Sequence, residues 1–134
     1  MKIEPEEEPD PVSEDEYEGF LEQGIALFND AKYHDAHEAF ERVWLSTQGS
    51  DADFYKGLIQ ACICLHHFQR ENLDGAAKLY SGHRKLLADY MPAHLGVDVT
   101  GFLTTMQQTL RPVLRRKPDE RVVLQDRPKI VRGA

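Results

Sequence analysis

Apolar side chains recur at spacings of three and four residues along most of this chain, which is the period of an α-helix with one buried face. The first such segment includes Phe20, Leu21 and Phe28, and Ser13 with Glu16 forms a capping-box pattern in front of it. Short polar or glycine-containing breaks separate the segments. The pattern predicts five helices, which end near Asn29, Ser46, Arg70, Tyr90 and Leu110.

The third predicted helix limits how these five can pack. It carries Phe54, Leu58, Ile59, Cys62 and Ile63, so it is apolar on most sides, as expected of a helix in the middle of a bundle. The short breaks imply antiparallel neighbours. We therefore predict an all-α fold, a compact bundle of about five helices built from two antiparallel helical hairpins plus a covering helix. Residues 121–124 are the one segment with a strand-like alternation.

Charge divides the chain into three parts. Residues 1–18 hold nine acidic groups and one lysine, whereas residues 111–134 hold eight basic and three acidic groups. We predict a disordered acidic arm at residues 1–13, a helical domain at 14–111 and a basic C-terminal tail at 112–134. Charge complementarity favours contact between this tail and the acidic arm or body. The net charge of −7 and the lack of aromatic residues among the tail arginines argue against nucleic-acid binding.

The sequence also predicts where the protein resides. It has no apolar run that could span a bilayer and no signal or transit pattern at its N-terminus, so we expect no membrane association and a cytoplasmic location. Cys62 and Cys64 lie two residues apart on the third helix, where their side chains diverge. We interpret them as reduced thiols in a core, which is consistent with a reducing compartment.

Two predicted helices carry polar residues on faces that should be buried. His37 and Glu41 lie within the same arc of helix two as Phe40 and Trp44, and Glu38 is one step round the helix. On helix three the corresponding stripe contains Gln60, Cys64, His67 and Glu71. Burying such groups is costly unless they pair, so we expect the two stripes to meet.

Such a polar centre between helices two and three has three interpretations. It could be a structural hydrogen-bond network that fixes helix register. It could hold a divalent metal ion through His37, Glu41 and His67, although neither the zinc-protease nor the di-iron motif is present. It could also bind a small ligand, with Phe40 and Trp44 as an apolar wall. The sequence does not decide whether the protein is an enzyme.

The same residues carry a resemblance to a known family. The segment from Glu22 to Asn29, the run His37-Glu38-x-x-Glu41-x-x-Trp44 and the run Gly57-Leu-Ile-Gln60 resemble the family called domain of unknown function 309. The resemblance covers about residues 17–90. It implies an all-helical fold and supplies no activity. The family's motif residues in this chain are His37, Glu38, Glu41, Trp44, Gln60, His67 and Asn72.

Two functional hypotheses therefore remain open. In the first, the polar centre is a metal or ligand pocket lined by the motif residues. In the second, the protein is a non-catalytic interaction module for a protein partner or a second copy, and the polar network is purely structural. The second hypothesis predicts an exposed apolar patch on helix four or five. Its candidate residues are Leu79, Leu86, Phe102, Leu103 and Met106. We interpret His34 as a surface residue and expect adjacent His66 and His67 not to share a ligand.

Overall fold

The computed structural model describes residues 11–47, 49–116, 122 and 127–133, and it is an all-α bundle of five helices, as the sequence predicts. The described elements include a 3₁₀ turn and one short hairpin besides the helices. In chain order they are α1 (Glu14–Asn29), α2 (Tyr33–Ser46), α3 (Ala52–Gln69), α4 (Leu73–Leu87), the 3₁₀ turn (Ala88–Tyr90), β1 (Ala93–His94), β2 (Val97–Asp98) and α5 (Val99–Leu114).

The helices pair as two hairpins that close with the same turn. Consecutive helices pack against each other from α1 to α4. Ala31 and Glu71, which follow α1 and α3, both adopt left-handed backbone conformations with φ of 61° and 62°. In each turn the next residue donates its N–H to a carbonyl five residues back, at 2.9 Å for Lys32 and 2.8 Å for Asn72. These bonds satisfy helix-end carbonyls and bring the chain back alongside itself.

Helix α3 occupies the centre of the bundle, between α2 and α4. Its residues Phe54, Leu58, Cys62 and Leu65 are each at most 1% exposed. Hydrophobic burial on several faces of one helix explains why its sequence is apolar nearly all round. None of the described helices combines the length and the apolar character needed to cross a membrane.

Helix α5 is the covering helix. Its Phe102 ring lies 5.5 Å from the ring of Phe28 in α1, and its Leu103 carbonyl accepts a hydrogen bond of 3.1 Å from Arg84 in α4. The expected helix end near Leu110 is wrong, because α5 continues to Leu114 with Pro112 inside its last turn. A proline there removes one backbone hydrogen bond, and burial of the next residue, Val113, offsets that loss.

A small β-hairpin precedes α5 and was not expected from the sequence. Ala93 pairs with Asp98 and His94 with Val97, and the connecting Leu95 and Gly96 have φ of 49° and 77°. Two positive φ values in a two-residue loop are typical of the turn that suits tight hairpins. The strand-like alternation at residues 121–124 lies almost wholly outside the described residues.

The ends of the described chain pack on this body. Val12 is 6% exposed and its N–H donates to Ser46 Oγ at 3.0 Å. Of the acidic arm predicted to be disordered at residues 1–13, residues 1–10 lie outside the described residues. In the C-terminal tail Ile130 is 3% exposed, and Arg132 pairs with Glu18 and Glu22 at 2.9 and 3.0 Å. The described part of the basic tail thus lies against acidic residues of α1, as the charge pattern favours.

Candidate functional site

His37 and Glu41 contact each other on α2. Nε2 of His37 lies 2.9 Å from Oε2 of Glu41, and its Nδ1 lies 3.1 Å from the backbone carbonyl of His34. A carboxylate and a carbonyl only accept hydrogen bonds, so both bonds form together when both ring nitrogens carry protons. A metal ion at either nitrogen would have to take the place of the carboxylate or the carbonyl that faces it.

The other two motif residues of α2 have different surroundings. The Glu38 carboxylate is exposed and lies 3.5 Å from Nδ1 of His34. Trp44 is partly buried and packs against the hydrophobic core. Of the four motif residues on α2, His37 and Glu41 contact each other directly.

The polar stripe of α3 lies against α4. Gln60 places its Oε1 against Gly82, where a Cβ atom would collide with it. Cys64 donates from Sγ to the Ala76 carbonyl at 3.1 Å. Both contact partners belong to α4, so these polar groups do not meet the stripe on α2.

His67 and Asn72 belong to the turn between α3 and α4. Asn72 Nδ2 donates to Nδ1 of His67 at 3.2 Å, while its Oδ1 accepts from the N–H of Gly75 at 3.1 Å. The second bond is a helix N-cap. His67 thus helps to hold the residue that begins α4, whereas His37 and Glu41 pair on α2.

Neither buried cysteine is activated as a thiolate. Both are fully buried and free. Burial raises the pKa of the Cys62 thiol well above its usual range and that of Cys64 to about 12. Both therefore stay protonated at neutral pH and behave as core residues, as the sequence analysis expected.

A groove between α1 and α2 brings three of the motif residues to one surface. Its volume is about 620 Å³. Phe20, Gln23 and Leu27 form the α1 wall. The α2 wall consists of Asp35, His37, Glu38, Ala39, Glu41, Arg42 and Leu45. The motif His-Glu-x-x-Glu therefore lines an open groove toward α1, and not a closed centre toward α3.

Arg42 is the groove residue that sequence reasoning missed. Its guanidinium carbon lies 4.9 Å from the centre of the Phe20 ring. Its Nε atom is buried and has no hydrogen-bond partner in the described part of the chain. In the sequence, Arg42 directly follows the motif residue Glu41 and lies three residues before Leu45 on the same helix. An arginine so placed looks like an ordinary surface residue until α1 is known to cover it.

A second arrangement that the sequence did not predict joins α2 to α3. His34, Asp35 and Glu38 offer ligand atoms within 4.8 Å of one another, and they form the one such group found in the described ranges. The His34 ring lies 5.4 Å from that of His66 in α3. The i,i+4 spacing of His34 and Glu38 indicates that these two residues share a face of α2. A helical wheel cannot show which α3 residue lies opposite that face.

The apolar patch expected of an interaction module is absent from the described face of α5. Phe102, Leu103 and Met106 are at most 4% exposed. Leu79 and Leu86 of α4 are partly buried. In the described ranges, the exposed large apolar residues are none of the expected five, but Leu45, Met91, Leu95, Leu114 and Val131.

Comparison with known proteins is consistent with this geometry. Residues 21–79 match the sequence model of the family described as Domain of unknown function (DUF309), and the matched range contains all seven motif residues. No curated protein matches the chain significantly. This match supports the assignment of residues 21–79 to the DUF309 family, whose description assigns it no function.

Proposed function

We propose that this protein binds a small organic anion in the groove between α1 and α2. One observation carries this proposal. Arg42 lines the groove, and its Nε atom is buried without a hydrogen-bond partner among the described residues. A buried donor left unsatisfied costs free energy, and a ligand acceptor would remove that cost. Guanidinium groups are suited to carboxylates and phosphates, because their donors match the spacing of the two oxygens.

The rest of the groove favours a ligand that also has an apolar part. Phe20, Leu27, Ala39 and Leu45 supply apolar surface, and Leu45 is 50% exposed. The groove also contains the carboxylates of Asp35, Glu38 and Glu41, of which Glu38 contacts His34 and Glu41 contacts His37. A small organic carboxylate with an aliphatic or aromatic part fits this combination better than inorganic phosphate.

The geometry supports binding more directly than catalysis. His37 is the histidine that lines the groove, and each of its ring nitrogens faces an acceptor of α2, the Glu41 carboxylate or the His34 carbonyl. A general base needs a free nitrogen within reach of the substrate. We therefore infer a ligand-binding role in which the His37–Glu41 pair orients the polar wall of the groove.

Arg42→Gln tests the proposal. The parent protein and the variant would be titrated calorimetrically with a panel of aliphatic and aromatic carboxylates, with the matching neutral amides as ligand controls. Losing a hydrogen bond to a charged group costs about 1.5–3 kcal/mol, so we expect affinity to fall roughly tenfold to a hundredfold. Arg70→Gln is the matched control, because Arg70 is exposed in the turn after α3.

A second pair of variants tests the location without touching Arg42. Leu45→Glu adds an exposed negative charge at the groove and should weaken anion binding. Leu114→Glu adds the same charge at a residue of similar exposure on α5 and should leave binding unchanged. Equal affinity of the parent, Arg42→Gln and Leu45→Glu for every carboxylate bound would contradict the proposed site.

A further inference from the structure

His34 lies on the outer side of α2 beside two carboxylates of the same helix. Its Nδ1 is 3.5 Å from Oε1 of Glu38 and 4.0 Å from Oδ1 of Asp35. In a tetrahedral zinc site with bonds of about 2.1 Å, neighbouring ligand atoms lie about 3.4 Å apart. The three side chains are 55–62% exposed, so small rotations into coordination distance meet little packing resistance.

A fourth ligand is available from a different helix. The centre of the His66 ring in α3 lies 5.4 Å from that of His34, with the ring planes inclined at 58°. This separation allows one nitrogen of each ring to approach a shared ion.

We propose that His34, Asp35 and Glu38 of α2 bind a divalent transition-metal ion together with His66 of α3. Two imidazole nitrogens and two carboxylate oxygens are a donor set suited to Zn²⁺. His37 takes no part, because its two nitrogens face the Glu41 carboxylate and the His34 carbonyl within α2. The site differs from the expected set of His37, Glu41 and His67 in every residue.

The site joins the two helical hairpins. His34, Asp35 and Glu38 belong to the α1–α2 hairpin, whereas His66 belongs to the α3–α4 hairpin. A bound ion would link them by bonds that exist only in the folded chain, so it should stabilise that state. The proposal does not rest on ligand binding by Arg42, although Asp35 and Glu38 also line the groove.

The test is a calorimetric titration with ZnCl₂ of the full chain, produced without a polyhistidine tag and freed of metal with a chelator. We expect one Zn²⁺ per chain and a higher melting temperature with zinc. His34→Ala and His66→Ala should each weaken zinc binding by more than the roughly tenfold to hundredfold that loss of an outer-shell partner causes. His66→Gln, which keeps the size of the side chain, guards against a packing effect of the alanine.

Two controls make the outcome decisive. His94→Ala removes a histidine that pairs with Asp51 far along the chain, and it should bind zinc like the parent. Arg42→Gln should also bind zinc normally, which separates this site from the ligand groove. Absence of zinc binding by the parent would overturn the proposal. Binding by His66→Ala and His66→Gln that is as tight as that of the parent would also overturn it, because zinc would then bind adventitiously to α2 alone.

Discussion

His83 of α4 is fully buried and packs between Tyr80 and Phe102. Its Nδ1 donates to the Tyr80 carbonyl, and its Nε2 is buried without a hydrogen-bond partner in the described residues. Burial therefore lowers the pKa of His83 to about 4. No motif pointed to this residue, because burial of a lone histidine depends on the helix that covers it.

The depressed pKa of His83 makes stability depend on pH. From pH 6.5 down to about 4 the unfolded chain binds a proton at this residue that the folded chain does not. The free energy of unfolding should thus fall through this range, by up to about 3 kcal/mol from this group. His83→Gln, which cannot titrate, should show a smaller fall in urea unfolding across the same range. The carboxylates are the same in both proteins, so their contribution cancels when the two pH dependences are compared. An equal fall in the free energy of unfolding of the parent and of His83→Gln would refute the role of His83.

At the scale of the element, helix periodicity predicted most of the fold. The capping pattern at Ser13 and the stop near Ser46 agree with the observed ends of α1 and α2. The residues whose predicted contacts differ from the observed ones lie between helices. Gln60 and Cys64 face α4, and a wheel drawn for one helix cannot tell which neighbour meets each side. The two-residue strands of the hairpin are too short to show alternation.

The crossing of α1 and α2 depends on Gly24. A Cβ atom at this position would collide with the ring of Phe40, which is fully buried. We expect Gly24→Ala to lower the free energy of unfolding by about 1–3 kcal/mol through overpacking, despite alanine's better helix propensity. Chemical denaturation would measure the change.

Gly19 provides the matched control on the same helix. A Cβ atom there meets nothing within 4 Å. Gly19→Ala should therefore stabilise the protein by about 0.5–1 kcal/mol through helix propensity alone. If the two variants changed stability in the same direction, close packing at Gly24 would not be the controlling factor.

For the whole molecule, the C-terminal tail makes more contacts with the body than its charge pattern predicts. The charge pattern favoured contact with the acidic body, which the ion pairs of Arg132 with Glu18 and Glu22 confirm. It gave no sign that Ile130 enters the core or that the Asn29 side chain bonds both the N–H and the carbonyl of Ile130. A single apolar residue in a basic segment has no periodicity that would predict its burial. The cytoplasmic location stays a prediction.

Burial of Ile130 should contribute more to the free energy of unfolding than the ion pairs of Arg132. Ile130→Ala removes buried methyl groups and should cost about 2–5 kcal/mol. Arg132→Gln breaks two ion pairs whose glutamates are 72% and 67% exposed, and exposed pairs contribute at most about 1 kcal/mol each. Urea unfolding of both variants would rank the two effects. A larger loss for Arg132→Gln would show that the tail is held mainly by electrostatics.

The bonds between Asn29 and Ile130 join residues 101 positions apart, whereas the helical hairpins close over a few residues. Contacts between distant segments carry a larger entropic cost of loop closure and tend to form after local ones. The tail therefore belongs to the late stage of folding. Strengthening its attachment would slow the unfolding of the protein and prolong its folded lifetime, with little effect on how fast it folds.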